Sequence, residues 1–137
     1  MAFWLMKSEP NKFSWDQLVA KGDAGEEWDG IRNYQARNFM RDMVIGDQIF
    51  FYHSNIGLEV VGIAEVSALI HPDSTTDDPR WECADIRAIK PLPTPVTLKQ
   101  VKATPELAQM SLVTSMRLSV QPVTGPEWDL VCKMGGL

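Results

Sequence analysis

The sequence predicts an α+β fold, a small curled mixed β-barrel flanked by short helices. Three observations predict it. Apolar, β-branched runs at residues 3–6, 48–53, 58–70 and 81–89 are separated by turn residues. The helical signatures between and after them are short, and each opens on a capping residue. The 137 residues, 45% hydrophobic with five Trp, suffice for one core and one domain spanning residues 1–137.

The elements follow in order. Phe3-Trp4-Leu5-Met6 reads as a buried strand that ends at Lys7-Ser8-Glu9-Pro10. Ser14 and Gln17 have the spacing of a capping box. The helix they open should bury Trp15, Leu18 and Val19 and stop near Gly22. Residues 22–30 read as an acidic loop. A second helix is expected from Tyr34 to Met43 with Asn33 as N-cap. Ala36, Phe39, Met40 and Met43 form its apolar stripe, and Tyr34, Arg37, Asn38 and Arg41 the opposite one. Gly46-Asp47 breaks that helix, and Gln48 to His53 reads as a strand. Ser54-Asn55-Ile56-Gly57 is a hairpin-length loop. Leu58 to Ile70 is a long strand with a bend or bulge at Gly62, and Trp81 to Ile89 is another. The loop between them carries Asp73, Asp77 and Asp78, read as turn-forming residues in solvent rather than a metal cluster. Pro91 to Pro95 reads as a rigid connector. Capping boxes at Thr97/Gln100 and Thr124/Glu127 open two more helices, and Thr104-Pro105 starts a short one. Met116 to Val120 reads as the last strand.

Charge narrows the function. A net charge of −5 suits a non-specific nucleic-acid coat poorly, because such binding rests on many Lys/Arg–phosphate contacts. Residues 1–41 hold six basic and six acidic groups, so the excess lies entirely in the remainder. A local site for a few nucleotides or a small anion fits best in the first third. Cys83 and Cys132 lie outside any C-x-x-C pattern and read as reduced thiols. The apolar start is too short for a signal peptide or a membrane span, so the expectation is a cytoplasmic protein without membrane contact.

Catalytic patterns are scarce. His53 and His71 stand in no H-x-E or H-E-x-x-H context, and no P-loop or G-x-G-x-x-G is present. The expectation is a protein that is not an enzyme and uses no cofactor or metal. Binding patterns are richer. Trp28-Asp29-Gly30-Ile31-Arg32-Asn33-Tyr34-Gln35-Ala36-Arg37-Asn38 gathers aromatic faces, amide edges and guanidinium forks around a turn. These groups stack on a nucleobase, read its edge and hold a phosphate. The purely structural alternative makes Trp28 and Tyr34 core anchors and the Arg and Asn residues a solvated helix face. No apolar residue adjoins Trp28 in sequence before Ile31, which favours a pocket wall with one open ring face. Lys7-Ser8 and Tyr52-His53-Ser54 end two apolar strands, and Arg117 and Ser119 flank the last one, so all can converge on one mouth.

These residues carry a resemblance. Phe3 to Pro10, Trp28 to Asn38, Phe51-Tyr52-His53-Ser54-Asn55, Val61 to Val66 and Arg117 to Pro122 together resemble the EVE domain family, which includes thymocyte nuclear protein 1 and bacterial relatives. The likeness runs in order over essentially the whole chain. It implies a PUA-like fold, a small curled β-barrel with short helices, and a distant kinship with YTH domains. It further implies a reader of modified bases, chiefly modified cytosine in DNA, with RNA also proposed. By that likeness Lys7-Ser8 and Trp28-Asp29 contact the base and Arg117 a phosphate. The second aromatic wall of the YTH cage has no counterpart in Ala84-Asp85-Ile86-Arg87.

The function expected is a non-enzymatic reader that takes a flipped, modified base into a pocket at the strand ends. Trp28 stacks on the base. Ser8, Asn33, Ser54 and the backbone near Asp29 read its edge, and Lys7, Arg32 and Arg117 face phosphates, with Tyr52, His53 and Ser119 lining the mouth. The competing readings are a nucleotide-acting enzyme using His53 and a small-molecule-binding module in the same pocket.

Overall fold

The structure is a computed structural model that describes residues 1–137. Six strands, β1 (Phe3–Ser8), β2 (Glu26–Glu27), β3 (Gln48–His53), β4 (Glu59–Pro72), β5 (Glu82–Thr97) and β6 (Val120–Val123), form one sheet in the order β2-β5-β4-β3-β1-β6. The sheet is mixed. β1 runs parallel to β3 and every other pair is antiparallel. It is open rather than a closed barrel, with β2 and β6 as its two edges.

Both faces of the sheet are covered, which is why its central strands are apolar on both sides. One face carries Trp4 and Met6 of β1 and Ile49 and Phe51 of β3. It is covered by α1 (Trp15–Lys21), through Trp15 and Leu18, and by α2 (Tyr34–Asp42), through Ala36 and Met40. The other face carries Leu5, Phe50 and Tyr52. Covering it are α3 (Leu98–Lys102), the turn Pro105–Leu107, α4 (Ser111–Thr114) and α5 (Gly125–Met134). Trp128 of α5 stacks on Phe50, with ring centroids 3.8 Å apart, and on Phe3 at 4.6 Å. At the start of β3 the buried Asp47 carboxylate accepts from the Trp4 indole N–H (3.1 Å), the Val44 N–H (3.1 Å) and the Ala2 N–H (3.2 Å). It satisfies donors that would otherwise be stranded.

The local signals are realised. All three capping boxes form, and the Asn33 side chain accepts from the Ala36 N–H as the N-cap of α2. Gly62 sits between register shifts on both sides of β4, and a Cβ there would lie 2.4 Å from the Trp15 ring.

Five expectations are corrected. Val19 is exposed, because the short α1 buries only Trp15 and Leu18. The acidic segment after Gly22 is not wholly a loop, since Glu26 and Glu27 pair with Ile86 and Asp85 as β2. The Pro-rich stretch is the second half of β5. There the strand has β4 on one side only, and its register moves from Gly62–Pro91 to Val60–Val96, so a bulge takes up prolines that cannot donate. The last strand begins at Val120, because Ser115 to Ser119 turn first, with the Leu118 N–H bonded to the Ser115 carbonyl. Asp73 is buried, not solvated.

Candidate nucleic-acid interface

The parallel pairing of β1 and β3 brings two strand ends side by side. Lys7 is opposite Tyr52 and Ser8 opposite His53, and the Ser54 N–H donates to the Ser8 carbonyl at 2.9 Å. Beside this corner lies a hollow of about 410 Å³, lined by Lys7, Ser8, Glu9, Lys12, Phe13, Glu26, Glu27, Trp28, Asp29 and Ile31. That volume falls in the range of small-ligand sites. Trp28 and Phe13 form its apolar floor. Lys7 links the hollow to a second concavity, because its Nζ donates to the Met116 carbonyl. This second concavity, about 360 Å³, is lined by Asn33, Gln35, Ser115, Met116, Arg117 and Leu118.

Trp28 corrects the expectation of an open ring face. It is 7% exposed and belongs to the larger core cluster. Phe51 meets it edge-on at 5.8 Å and Phe13 at 6.1 Å. Its backbone N–H donates to the Ala84 carbonyl at 3.0 Å. Burial comes from distant elements, which the local sequence does not reveal. The hollow meets only what remains of one ring.

The other singled-out residues divide. Lys7, Ser8, Trp28 and Asp29 line the first hollow, and Asn33 and Arg117 the second. Arg32 turns away from both. Its Nη1 donates to the Asp73 carboxylate at 3.1 Å, and its guanidinium lies over the Trp81 ring. Tyr52 is buried in the opposite face, with the Lys7 ammonium over its ring. His53 Nε2 accepts from the Trp15 N–H at 3.0 Å, so this nitrogen is unprotonated and occupied. Burial lowers the pKa of His53, against the pull of Glu59 and Asp16. Ser54 stays at the strand end outside the hollow. Ser119 enters through its carbonyl, which accepts from the Lys7 N–H at 2.9 Å. The sequence reading missed Glu9, Lys12, Phe13, Glu26, Glu27 and Ile31 as lining residues. Glu9 had a signal, being adjacent to Lys7-Ser8, but β2 is too short to leave a pattern.

The electrostatics are those of an acceptor-rich cup beside a basic rim. Burial holds the Asp29 carboxyl above its ordinary pKa, and the negative charges of Asp73 and Glu27 add to this against Arg32. Burial lowers the pKa of Lys7. Arg41 and Arg87 are committed to Glu82 and Glu65, and Arg37 donates to the Arg80 carbonyl. Lys7, Lys12 and Arg117 are the cations that border the two concavities, with Lys12 Nζ 3.0 Å from the Glu9 carboxylate.

Asp73 holds the loop that frames the first hollow. Its carboxylate accepts from the Gly30 N–H (2.8 Å), the Thr75 N–H (2.8 Å), the Thr75 hydroxyl and Arg32. Burial alone would raise its pKa, but these bonds overcome it and hold the group down at about 2. A carboxyl depressed on folding stabilises the fold above its unfolded pKa and loses that contribution as pH falls through the folded one. Acid titration should thus remove on the order of 2 kcal/mol between about pH 4 and pH 2. Asp73→Asn should abolish that part of the pH dependence, as read by urea melts at each pH.

A mixed, open α+β sheet with an aromatic-lined hollow beside two parallel strand ends defines a small α+β domain of PUA-like build. The chain belongs to the EVE domain family, whose model matches residues 2–134. Thymocyte nuclear protein 1 of Mus musculus is 35% identical over 164 residues, covering 96% of this chain and 73% of that protein. A crystal structure of an Agrobacterium tumefaciens protein is 65% identical with a TM-score of 0.99, over 100% of this chain and 94% of that one. Human thymocyte nuclear protein 1, solved in complex with 5-methylcytosine-containing DNA, is 32% identical with a TM-score of 0.93, over 100% of this chain and 99% of that one. The YTH domain of Zygosaccharomyces rouxii MRB1 shares the fold at 20% identity and a TM-score of 0.57, over 98% of this chain and 86% of that one. No helix is long and apolar enough to cross a membrane.

Proposed function

We propose that this chain is a non-enzymatic reader that takes a modified cytosine of DNA into the hollow beside Lys7-Ser8. The observation that carries the reading is the chemistry of that hollow. It joins an aromatic floor, Trp28 and Phe13, to the carboxylates of Glu9, Glu26, Glu27 and Asp29. Carboxylates accept from the exocyclic amine of cytosine and repel a phosphate. A base therefore enters the cup amine first, and its phosphates stay on the rim of Lys7, Lys12 and Arg117. The complex of human thymocyte nuclear protein 1 with 5-methylcytosine-containing DNA supports the same assignment. Catalysis by His53 fits poorly, since its Nε2 is occupied by the Trp15 N–H.

Stacking and edge contacts on one base supply roughly 1–3 kcal/mol each, so affinity depends on the rim phosphates as well. Fluorescence anisotropy with short duplexes should show tighter binding to 5-methyl- or 5-hydroxymethylcytosine than to unmodified DNA. Arg117→Ala should weaken all duplexes alike and reduce the salt dependence. Equal affinity for modified and unmodified DNA across the titration would overturn the assignment. Matching RNA oligonucleotides decide between the two nucleic acids.

A further inference from the structure

Three strands bring together side chains that lie far apart in sequence. Glu27 of β2, His71 of β4 and Cys83 of β5 present a carboxylate oxygen, an imidazole nitrogen and a thiol sulfur, all within 4.8 Å of one another. The sheet register explains the meeting. His71 pairs with Cys83, and Glu27 pairs with Asp85. Direct cross-strand partners share a sheet face, and so do residues two apart on one strand. Glu27, His71, Cys83 and Asp85 therefore occupy adjoining positions on one face.

Their side chains already touch in pairs, and the Ser74 N–H and hydroxyl hold the Glu27 carboxylate in place at 2.7 Å. The Cys83 thiol lies 3.4 Å from Glu27 Oε1, and Asp85 Oδ1 lies 2.7 Å from His71 Nε2. His71 Nδ1 lies 2.9 Å from the Pro72 carbonyl. A carbonyl acceptor at Nδ1 holds that nitrogen's proton in place and turns Nε2 inward as the ligating atom. Cys83 is fully buried and the other three are partly shielded.

We propose that Glu27, His71, Cys83 and Asp85 form a tetrahedral site for a divalent transition metal of the zinc type. One sulfur, one nitrogen and two oxygens are a borderline-soft donor set that suits zinc and not magnesium or calcium. Bond lengths of roughly 2.0–2.3 Å call for contraction of the cluster by about 1 Å, within reach of side-chain rotation. Binding releases the thiol proton and the proton held between Nε2 and Asp85 to solvent, with no change of oxidation state. The ion ties β2 to the end of β4. It also neutralises Glu27, a wall of the first hollow.

Cobalt is the direct probe. The chelator-stripped full chain, titrated with Co²⁺, should develop a thiolate-to-cobalt charge-transfer band and strong visible d–d bands. Both should saturate at one ion per chain and bleach on adding Zn²⁺. Cys83→Ser should lose the charge-transfer band, and His71→Gln should weaken binding by about tenfold or more. Cys132→Ser, which removes the other thiol, should leave the band intact. Absence of the band in the unmodified chain would overturn the proposal. So would its survival in folded Cys83→Ser, or its loss in Cys132→Ser.

Discussion

Trp28→Ala should destabilise the fold by about 3–5 kcal/mol, the range for a buried aromatic cut back to its Cβ. The ring is wedged edge-on between Phe13 and Phe51, and its truncation opens a cavity where the first hollow and the core share a wall. In a domain of this size the melting temperature should fall by on the order of 10 °C or more. Oligonucleotide binding should disappear with it, because the floor of the hollow is lost. Trp28→Phe separates the two roles. It keeps an aromatic in the core, so most stability should return, while the smaller ring stacks less well on a base. Parallel thermal melts and anisotropy titrations of both variants check this. A Trp28→Ala protein with an unchanged melt would mean that the ring does not anchor the core.

Gly62→Ala should have the next largest effect. The added methyl would sit 2.4–2.6 Å from three atoms of the Trp15 ring. That ring packs on Phe51, and its helix is tied to the β3 end by the Trp15 N–H bond to His53. The indole can retreat only by displacing α1, so a loss of about 3 kcal/mol is expected, at the upper end for overpacking. A chemical denaturation curve measures it. Trp15→Phe in the same background should recover part of the loss, which an effect confined to the β4 backbone would not allow.

What the sequence reveals and hides follows the range of the interactions. Caps at Ser14, Asn33, Thr97 and Thr124 involve residues three apart, so they are legible directly. The meeting of Lys7-Ser8 with Tyr52-His53 was expected from two apolar strands that end alike, and parallel pairing of β1 with β3 produces it. Long-range partners were hidden. Arg32 looked free to hold a phosphate, but Asp73, 41 residues away, takes it. Trp28 looked exposed in an acidic loop, but Phe13 and Phe51 bury it. Prolines disguised the second half of β5, because their cost in a strand vanishes at a bulge with one free edge. The hollow itself was half legible. Lys7, Ser8, Trp28 and Asp29 stand in recognisable motifs, but Glu26 and Glu27 reach it through a two-residue strand.

The placement of β1 bears on how the molecule assembles in time. β1 emerges first, yet its ladder partners are β3, some 45 residues on, and β6, where Phe3 faces Val123. Neither partner is local, and closing such spans carries an entropic cost before any contact repays it. The hairpin of β3 and β4 can form early, because only a short turn separates its strands. The first strand must wait for it and then for nearly the whole chain. During synthesis the apolar segment Phe3–Met6 can pair with β3 early, but its other edge stays open until Val120–Val123 emerges. Folding should be slow for the domain's size, and a nascent chain stopped before Val120 should be the species that aggregates.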